Sequence, residues 1–312
     1  MTTTQTTSNV SEVVPTYYEK ETLDRLEAEV LLYQFSTKKP IPKNAGHTIT
    51  FHRYTAFATN ETDITEGTNP AGLDLTATNV TAQIKDLVSW VKITEYLNTV
   101  AINPQLGEVV DLLQDRFNRS IEYRLRAQLD LGTEQLAASV DNITDIATTD
   151  TLKMAELAAA VRDLGNANAK PHPMADGGFI GVVPYACTYD LKLDTTTGNW
   201  INVNQYQNGE GIRRWKLGRL ANVDLYETSL FTTASGASSR VIYNSYVISK
   251  AAYGAIEMSN YQKNPSIRTG RGGDFGIEDP GDLFQVARIK GRFAAKILEA
   301  ERVRVIKTFA TA

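Results

Sequence analysis

The sequence is poor in the residues that staple, cross or catalyse. It has one cysteine, Cys187, in 312 residues. One thiol forms no internal disulfide and no thiolate zinc cluster, so a stapled secreted module is excluded. There is no run of about 18 apolar residues, the length a bilayer-spanning helix needs. The opening stretch MTTTQTTS has neither a basic flank nor an apolar centre and does not read as a signal peptide. A reducing cytoplasm is the expected setting. An excess of positive charge is also lacking: 32 Lys and Arg stand against 36 Asp and Glu, a net charge of −4. That balance argues against a dedicated DNA-wrapping protein. Histidines number three, and no Walker loop, nucleophile elbow or His-Glu-x-x-His stretch occurs.

What is present describes a folded chain. Hydrophobic residues make up 42% and charged residues 22%, an ordinary globular balance. The length allows about two domains and a core that needs no staples.

Residues 1 to about 15 are too polar to order themselves. Thr16 and Glu19 form a capping box, and Leu23, Leu26, Val30 and Tyr33 recur at helical spacing, which predicts a helix ending near Phe35. The segment Lys38-Lys-Pro-Ile-Pro42 then enforces an extended strap. From Gly46 to about Ala58 the residues alternate with strand period, with Ile49 and Phe51 on one face. A turn-rich polar stretch, Asn60–Gly72, leads into a β-rich run from Leu73 to Leu97. The whole reads as one long hairpin. A 12-residue arm would reach roughly 40 Å, beyond what its own domain covers, so the hairpin is expected to lie on another subunit.

A long helix is predicted from Pro104 to about Leu131, with an apolar stripe of Val109, Leu113, Phe117, Ile121, Leu125 and Leu129. Glu122 falls with the charged residues of its other faces. At 1.5 Å per residue it spans about 42 Å. Residues 136–269 read as mixed α/β. They hold a helix closed by Gly165, a buried strand at Gly178–Val183, a helix from Tyr185 to Asp194, and strands at Val223–Glu227 and Arg240–Tyr243. Leu283–Phe309 reads as two antiparallel strands or extended runs around Lys296.

Candidate chemistry is sparse. His47 and His52 lie five apart on a strand and so point to opposite faces, which denies them a shared metal. His172 falls in a loop, where a surface or half-buried side chain is expected. Gly270-Arg-Gly-Gly-Asp-Phe-Gly276 fails the dinucleotide pattern because Phe275 stands where the last glycine is needed, and no good strand precedes it; a mobile loop is expected. Cys187 has no histidine nearby and reads as a packed small side chain. Arg288, Lys290, Arg292, Lys296, Arg302, Arg304 and Lys307 alternate with apolar residues. They read as a solvated strand face or inter-subunit ion pairs, with nucleic-acid contact as the other reading.

The order of several stretches resembles a known family. LLYQFSTKKPIPKNAG at 31–46, TITFHRY at 48–54 and TEGTNPAG at 65–72 are similar to the opening of tailed-phage major capsid proteins of the N-four podovirus type. VVPYACTYDL at 182–191, Asn199-Trp200, GEGI at 209–212 and GRFAAKIL at 291–298 follow in the order of that family. The resemblance implies an α+β fold of the Hong Kong 97 capsid type. Its parts would be an N-terminal arm (1–45), an extended hairpin loop (46–97), a spine helix (98–135), an axial domain (136–269) and returning strands of the peripheral domain (270–312). It implies a non-enzymatic shell protein without cofactor or metal that assembles with itself into pentamers and hexamers around double-stranded DNA. Portal, scaffold and decoration proteins would be further partners, no membrane would be involved, and the mature location would be the virion. An encapsulin-type nanocompartment shell is the alternative. Arg53, Glu66 and Glu95, all in the hairpin region, are the candidate inter-subunit contacts.

Overall fold

The computed structural model describes residues 30–42, 46–57, 59, 63, 66–67, 72–101, 105–137, 140–194, 216–236, 240–258, 266–275, 281 and 283–311. The capping box at Thr16 and the first helical turns expected after it lie outside these residues. Within the described residues only a single turn is helical, α1 (Leu32–Phe35) with Leu32, Tyr33 and Phe35 buried, and Val30 and Leu31 before it are not helical, although the spacing predicts a helix there. The strap is β1 (Thr37–Ile41). Its two prolines do keep it extended, but it also finds a sheet partner far along the chain.

The expected long hairpin divides. β2 (Thr48–Tyr54) and β3 (Ala77–Gln83) pair antiparallel over seven residues in a two-stranded ribbon. That is a length of about 23 Å at strand rise, shorter than the 40 Å arm expected. At Ile84 the chain leaves the ribbon, and β4 (Lys85–Thr94) joins the body of the subunit. The run then turns helical, α2 (Glu95–Val100), because Thr94 caps it by accepting the Leu97 amide at 3.3 Å.

The long helix is α3 (Gln105–Leu129), and Leu113, Phe117, Ile121, Leu125 and Leu129 are buried as the stripe requires. Each such side chain contributes about 1.5–3 kcal/mol. Glu122 is a correction: it is 1% exposed, not solvated. Its carboxylate accepts the Leu31 amide at 3.3 Å and the Leu32 amide at 3.1 Å. These are donors of the α1 start, and among the described residues no other acceptor serves them. Tyr253 donates to the Leu32 carbonyl at 2.5 Å, and the Tyr33 hydroxyl donates to Glu257. A short apolar turn is thus held in the core by polar anchors at both ends.

Next come β5 (Thr133–Leu136), α4 (Met154–Asn166), β6 (Phe179–Pro184) and α5 (Tyr185–Leu193). Gly165 sits inside α4 instead of closing it. β7 (Lys216–Leu220) and β8 (Val223–Thr228) form a hairpin whose turn residues Ala221 and Asn222 both have positive φ, 48° and 64°, the backbone that two-residue hairpin turns need. β9 (Thr233–Ser235), β10 (Val241–Ile248), β11 (Tyr253–Met258), β12 (Ser266–Arg271), β13 (Phe284–Ile297) and β14 (Val303–Phe309) complete the order.

Among the described residues the remaining strands form two larger sheets. One has the order β1-β11-β13-β12, with β4 also on β13; the other runs β5-β14-β10-β6-β8-β7, with β9 on β10. The sequence pattern suggests that β13 and β14 pair with each other. They stand in different sheets, because the 3₁₀ turn Ala300–Arg302 redirects the chain between them. β11 comes from the 136–269 segment and pairs with β13, while β14 comes from 270–312 and pairs with β10.

β6 is buried throughout because both faces of its sheet are covered. Ile180 and Val182 meet the core shared with α1 and α3, whereas Phe179 and Val183 meet the core under α4 and α5. α3 is bound to the first sheet by Arg124 donating to the Phe293 carbonyl at 3.1 Å and Gln128 accepting the Ile297 amide at 3.3 Å. Just beyond its end, Asp130 accepts from Thr232, Asn244 and Tyr246 at 2.6–2.9 Å. One helix is thereby fastened to both sheets.

Candidate functional site

Burial in the ribbon falls off from base to tip. At the base, Ala82 and Ile84 are buried with Ile41, Ile256 and Ala294, and Ile49 and Phe51 pack against them. The Lys39 ammonium lies 5.7 Å from the centre of the Phe51 ring. Beyond this point the pattern changes. From Arg53 to Phe57, and from Gly72 to Asn79, every residue is exposed, as are Thr59, Asp63, Glu66 and Gly67. The exposed set includes Tyr54 (63%), Phe57 (53%), Leu73 (71%) and Leu75 (64%). Four large apolar side chains on one projecting element are more than the scattered exposure usual on a monomer surface.

The candidate contacts from the sequence do not converge. Arg53 forms an ion pair with Glu299 of its own chain at 2.8 Å, which ties the outer end of β2 to the residues just after β13. Glu66 is exposed in the turn near the tip. Glu95 is the exposed first residue of α2, and its amide donates to the Leu283 carbonyl at 2.8 Å. The sequence alone does not single out the apolar tip residues, because strand alternation places them on a face without saying what covers that face.

Several basic residues of the carboxy-terminal strands have partners in the same chain. Asp86 on β4 receives Arg292 at 2.7 Å and Lys290 at 3.6 Å; Arg292 is the larger cause of the lowered Asp86 pKa. Arg302 meets Glu299 at 2.5 Å, and Lys307 meets Glu134. The Gly270–Gly276 stretch differs from the expected mobile loop: strand β12 does precede it, and Gly272–Phe275 is a 3₁₀ turn.

Cys187 is buried, and burial pushes its thiol up to about 11, so it stays protonated and inert. His52 pairs with Asn79 across the ribbon at 2.7 Å. His172 is buried, not at the surface: Nδ1 accepts the Met174 amide and Nε2 faces the Phe35 carbonyl, both at 3.2 Å. Only a neutral ring with its proton on Nε2 satisfies both, and burial lowers the pKa. The folded state therefore resists protonation. Stability from this contact is present above the unfolded value near 6.5 and declines as pH falls from there toward the lower folded value. Urea unfolding should give a lower stability at pH 5 than at pH 7, and His172→Leu should flatten the part of that slope due to this ring. Among the described residues no three His, Cys, Asp or Glu side chains converge as a metal site.

No family model and no curated protein matches the sequence. Solved structures do match it over nearly its whole length. The capsid of Helicobacter pylori bacteriophage KHP30 has a TM-score of 0.73 at 10% identity, with 99% of each chain covered. The capsid of cyanophage Pam1 has a TM-score of 0.71 at 12% identity, covering 96% of this chain and 97% of that one. The capsid of Ralstonia phage GP4 has a TM-score of 0.68 at 12% identity, with 96% of each covered. The chain has the phage capsid fold. Within that fold the described residues of the ribbon's outer part are exposed on their own subunit.

Proposed function

We propose that this chain is the major capsid protein of a tailed phage, assembling with itself into pentamers and hexamers that close an icosahedral shell around double-stranded DNA. The carrying observation is the ribbon: its base is packed into the subunit, and its outer part exposes Tyr54, Phe57, Leu73 and Leu75. A shell protein needs no reactive group. It needs surface that pairs with copies of itself, and contacts that close under rotation generate rings. Obligate assemblies commonly bury more than about 2,000 Å² per interface. A projecting ribbon reaches such areas from a thin subunit, with apolar burial contributing roughly 25 cal/mol per Å² before ordering costs.

In this reading residues 136–269 gather at the five- and six-fold axes, while α3 and the strands beside it form the periphery. The finished shell resides in the virion after assembly in the host cytoplasm, with portal, scaffold and decoration proteins as further partners. The matched structures include phage capsids and a GTA particle, which supports the viral reading over a cellular nanocompartment. Terminase and portal genes beside this one would agree with it; a cargo-enzyme gene would favour the compartment.

Purified protein is expected to give rings, tubes or shells by light scattering and negative-stain microscopy. Deleting residues 63–71 should leave the subunit folded, with its melting temperature changed by no more than a few degrees, yet reduce closed particles at least tenfold. A compact monomer at all concentrations and salts would contradict the shell reading.

A further inference from the structure

The ribbon is held to its subunit at two places of different chemistry. Ile49, Phe51 and Arg53 alternate along β2 and so form one row. Across the ribbon they stand opposite Ala82, Val80 and Thr78. Ile49 and Phe51, with Ala82, pack into the small core that holds Ile41, Ile256 and Ala294. The row then changes from apolar to basic, and Arg53 reaches Glu299 at 2.8 Å. Arg53 lies four residues beyond Ile49, about 13 Å along the strand. Apolar burial has no preferred direction, so the core acts as a pivot, and the ion pair is a strut set at a distance from it. A slip of about 1 Å at the strut turns the ribbon by roughly 4°.

The far end of the strut is anchored. Glu299 stands in the connection from β13 to β14, which passes from the first large sheet to the second. The connection from β10 to β11, residues 249–252, passes between the same two sheets, and the two connections are tied together. The Leu298 and Glu299 amides donate to the Ala252 carbonyl at 2.9 and 3.4 Å. The Ser249 amide and hydroxyl donate to the Arg302 carbonyl at 3.1 and 3.0 Å. Ala251 is held at φ 55°, a backbone that a residue with a Cβ keeps only where its surroundings over-determine it.

The Glu299 side chain is fixed as well. Its second oxygen takes Arg302 at 2.5 Å, and Arg302 donates onward to the Lys250 carbonyl at 3.2 Å. One carboxylate thus stands between two guanidiniums. Among the described residues neither arginine has another carboxylate within ion-pair distance.

We propose that Glu299 is the positioning residue of the ribbon: through Arg53 it sets the direction in which the ribbon leaves the body, and in the assembled shell that direction sets the curvature. The inference rests on the shell reading and deepens it by naming what aims the ribbon within its own chain. An ion pair whose Arg53 side chain is 48% exposed adds little to the stability of one subunit. The same bias recurs in every copy of a ring, and the rotation between copies decides which rings close. Loss of the strut is therefore read in geometry and not in melting.

Nitroxide labels at Thr76→Cys and Ala127→Cys in the full-length chain report the ribbon's direction against α3; both positions are exposed and the natural Cys187 is buried. Pulsed spin–spin measurements on dispersed subunits should give a narrow distance distribution for this parent. Arg53→Ala and Glu299→Gln should each widen it at least twofold, with melting temperatures within about 2 °C of the parent. Arg53→Lys keeps the charge and should restore the narrow distribution. Salt at about 1 M should widen the parent and leave Arg53→Ala unchanged, because it screens a pair that the variant lacks. In the unlabelled chain, Arg53→Ala and Glu299→Gln should spread particle diameters at least twofold, with open tubes among the closed shells, whereas Arg53→Lys should not. Distributions unchanged in both variants would assign the direction to the apolar base alone and overturn the inference. Widened distributions with particles of wild-type size would overturn it too. A wild-type chain that never assembles overturns the shell reading and the link to curvature with it, while the distances in the free subunit still decide whether Glu299 aims the ribbon.

Discussion

Replacing Glu122 with alanine is expected to destabilise the subunit by about 4 kcal/mol, since a buried acceptor is removed from two amides and each orphaned donor costs about 1–3 kcal/mol. The carboxylate sits mid-helix on α3 and receives Leu31 and Leu32, some 90 positions earlier in the chain. Among the described residues no backbone carbonyl accepts either amide, so the loss is not made good there. Tyr253 would still hold the Leu32 carbonyl, because burial and the nearby Glu122 carboxylate keep its phenol protonated in the wild type. The effect should therefore appear first as faster amide exchange at Leu31 and Leu32 and as release of β1 from β11. Glu122→Gln keeps one acceptor oxygen and should cost less, about 1–2 kcal/mol. Denaturant unfolding of the three proteins gives the comparison. A loss under about 1 kcal/mol for Glu122→Ala would mean that the α1 turn is held by its apolar side chains alone.

Glu122 also shows where sequence reading stops. The α3 stripe was legible because Leu113, Phe117, Ile121, Leu125 and Leu129 repeat at helical spacing, and burial follows from that repeat. Glu122 follows Ile121 directly, and period alone assigns it to water. Its burial depends on a partner from the other end of the chain, which no local pattern encodes. β4 has the same character. Its alternation reads as the second arm of a hairpin, and only the competing edge of β13, about 200 residues later, draws it off the ribbon at Ile84. β13 and β14 were legible as strands but not as members of separate sheets, since strand period is silent on partners. The polar stretch between two strands was visible in the sequence, while the exposure of its apolar residues was not, since strand period does not say what covers a face.

Gly291→Ala is expected to cost about 3 kcal/mol, at the upper end for overpacking a core. Gly291 is buried on β13, and a Cβ there would fall far inside the van der Waals distance of the Phe117 ring. That ring belongs to the central α3 stripe and is 5% exposed. It cannot swing away without displacing Ile289 and Phe293, which share its core. The absence of a side chain at 291 is thus what lets the helix approach the sheet closely. Phe117→Leu alone should also destabilise, by about 1–2 kcal/mol for the lost ring volume. Together the two changes should cost less than their sum, because the shorter leucine leaves room for the added methyl. A double-mutant cycle by urea unfolding reads this coupling directly, and the predicted interaction is at least about 1 kcal/mol in the stabilising direction. Strict additivity would mean that the backbone of β13 shifts instead. The close approach of α3 would then rest on the Arg124 and Gln128 hydrogen bonds to Phe293 and Ile297 and not on the shape of the Gly291 contact.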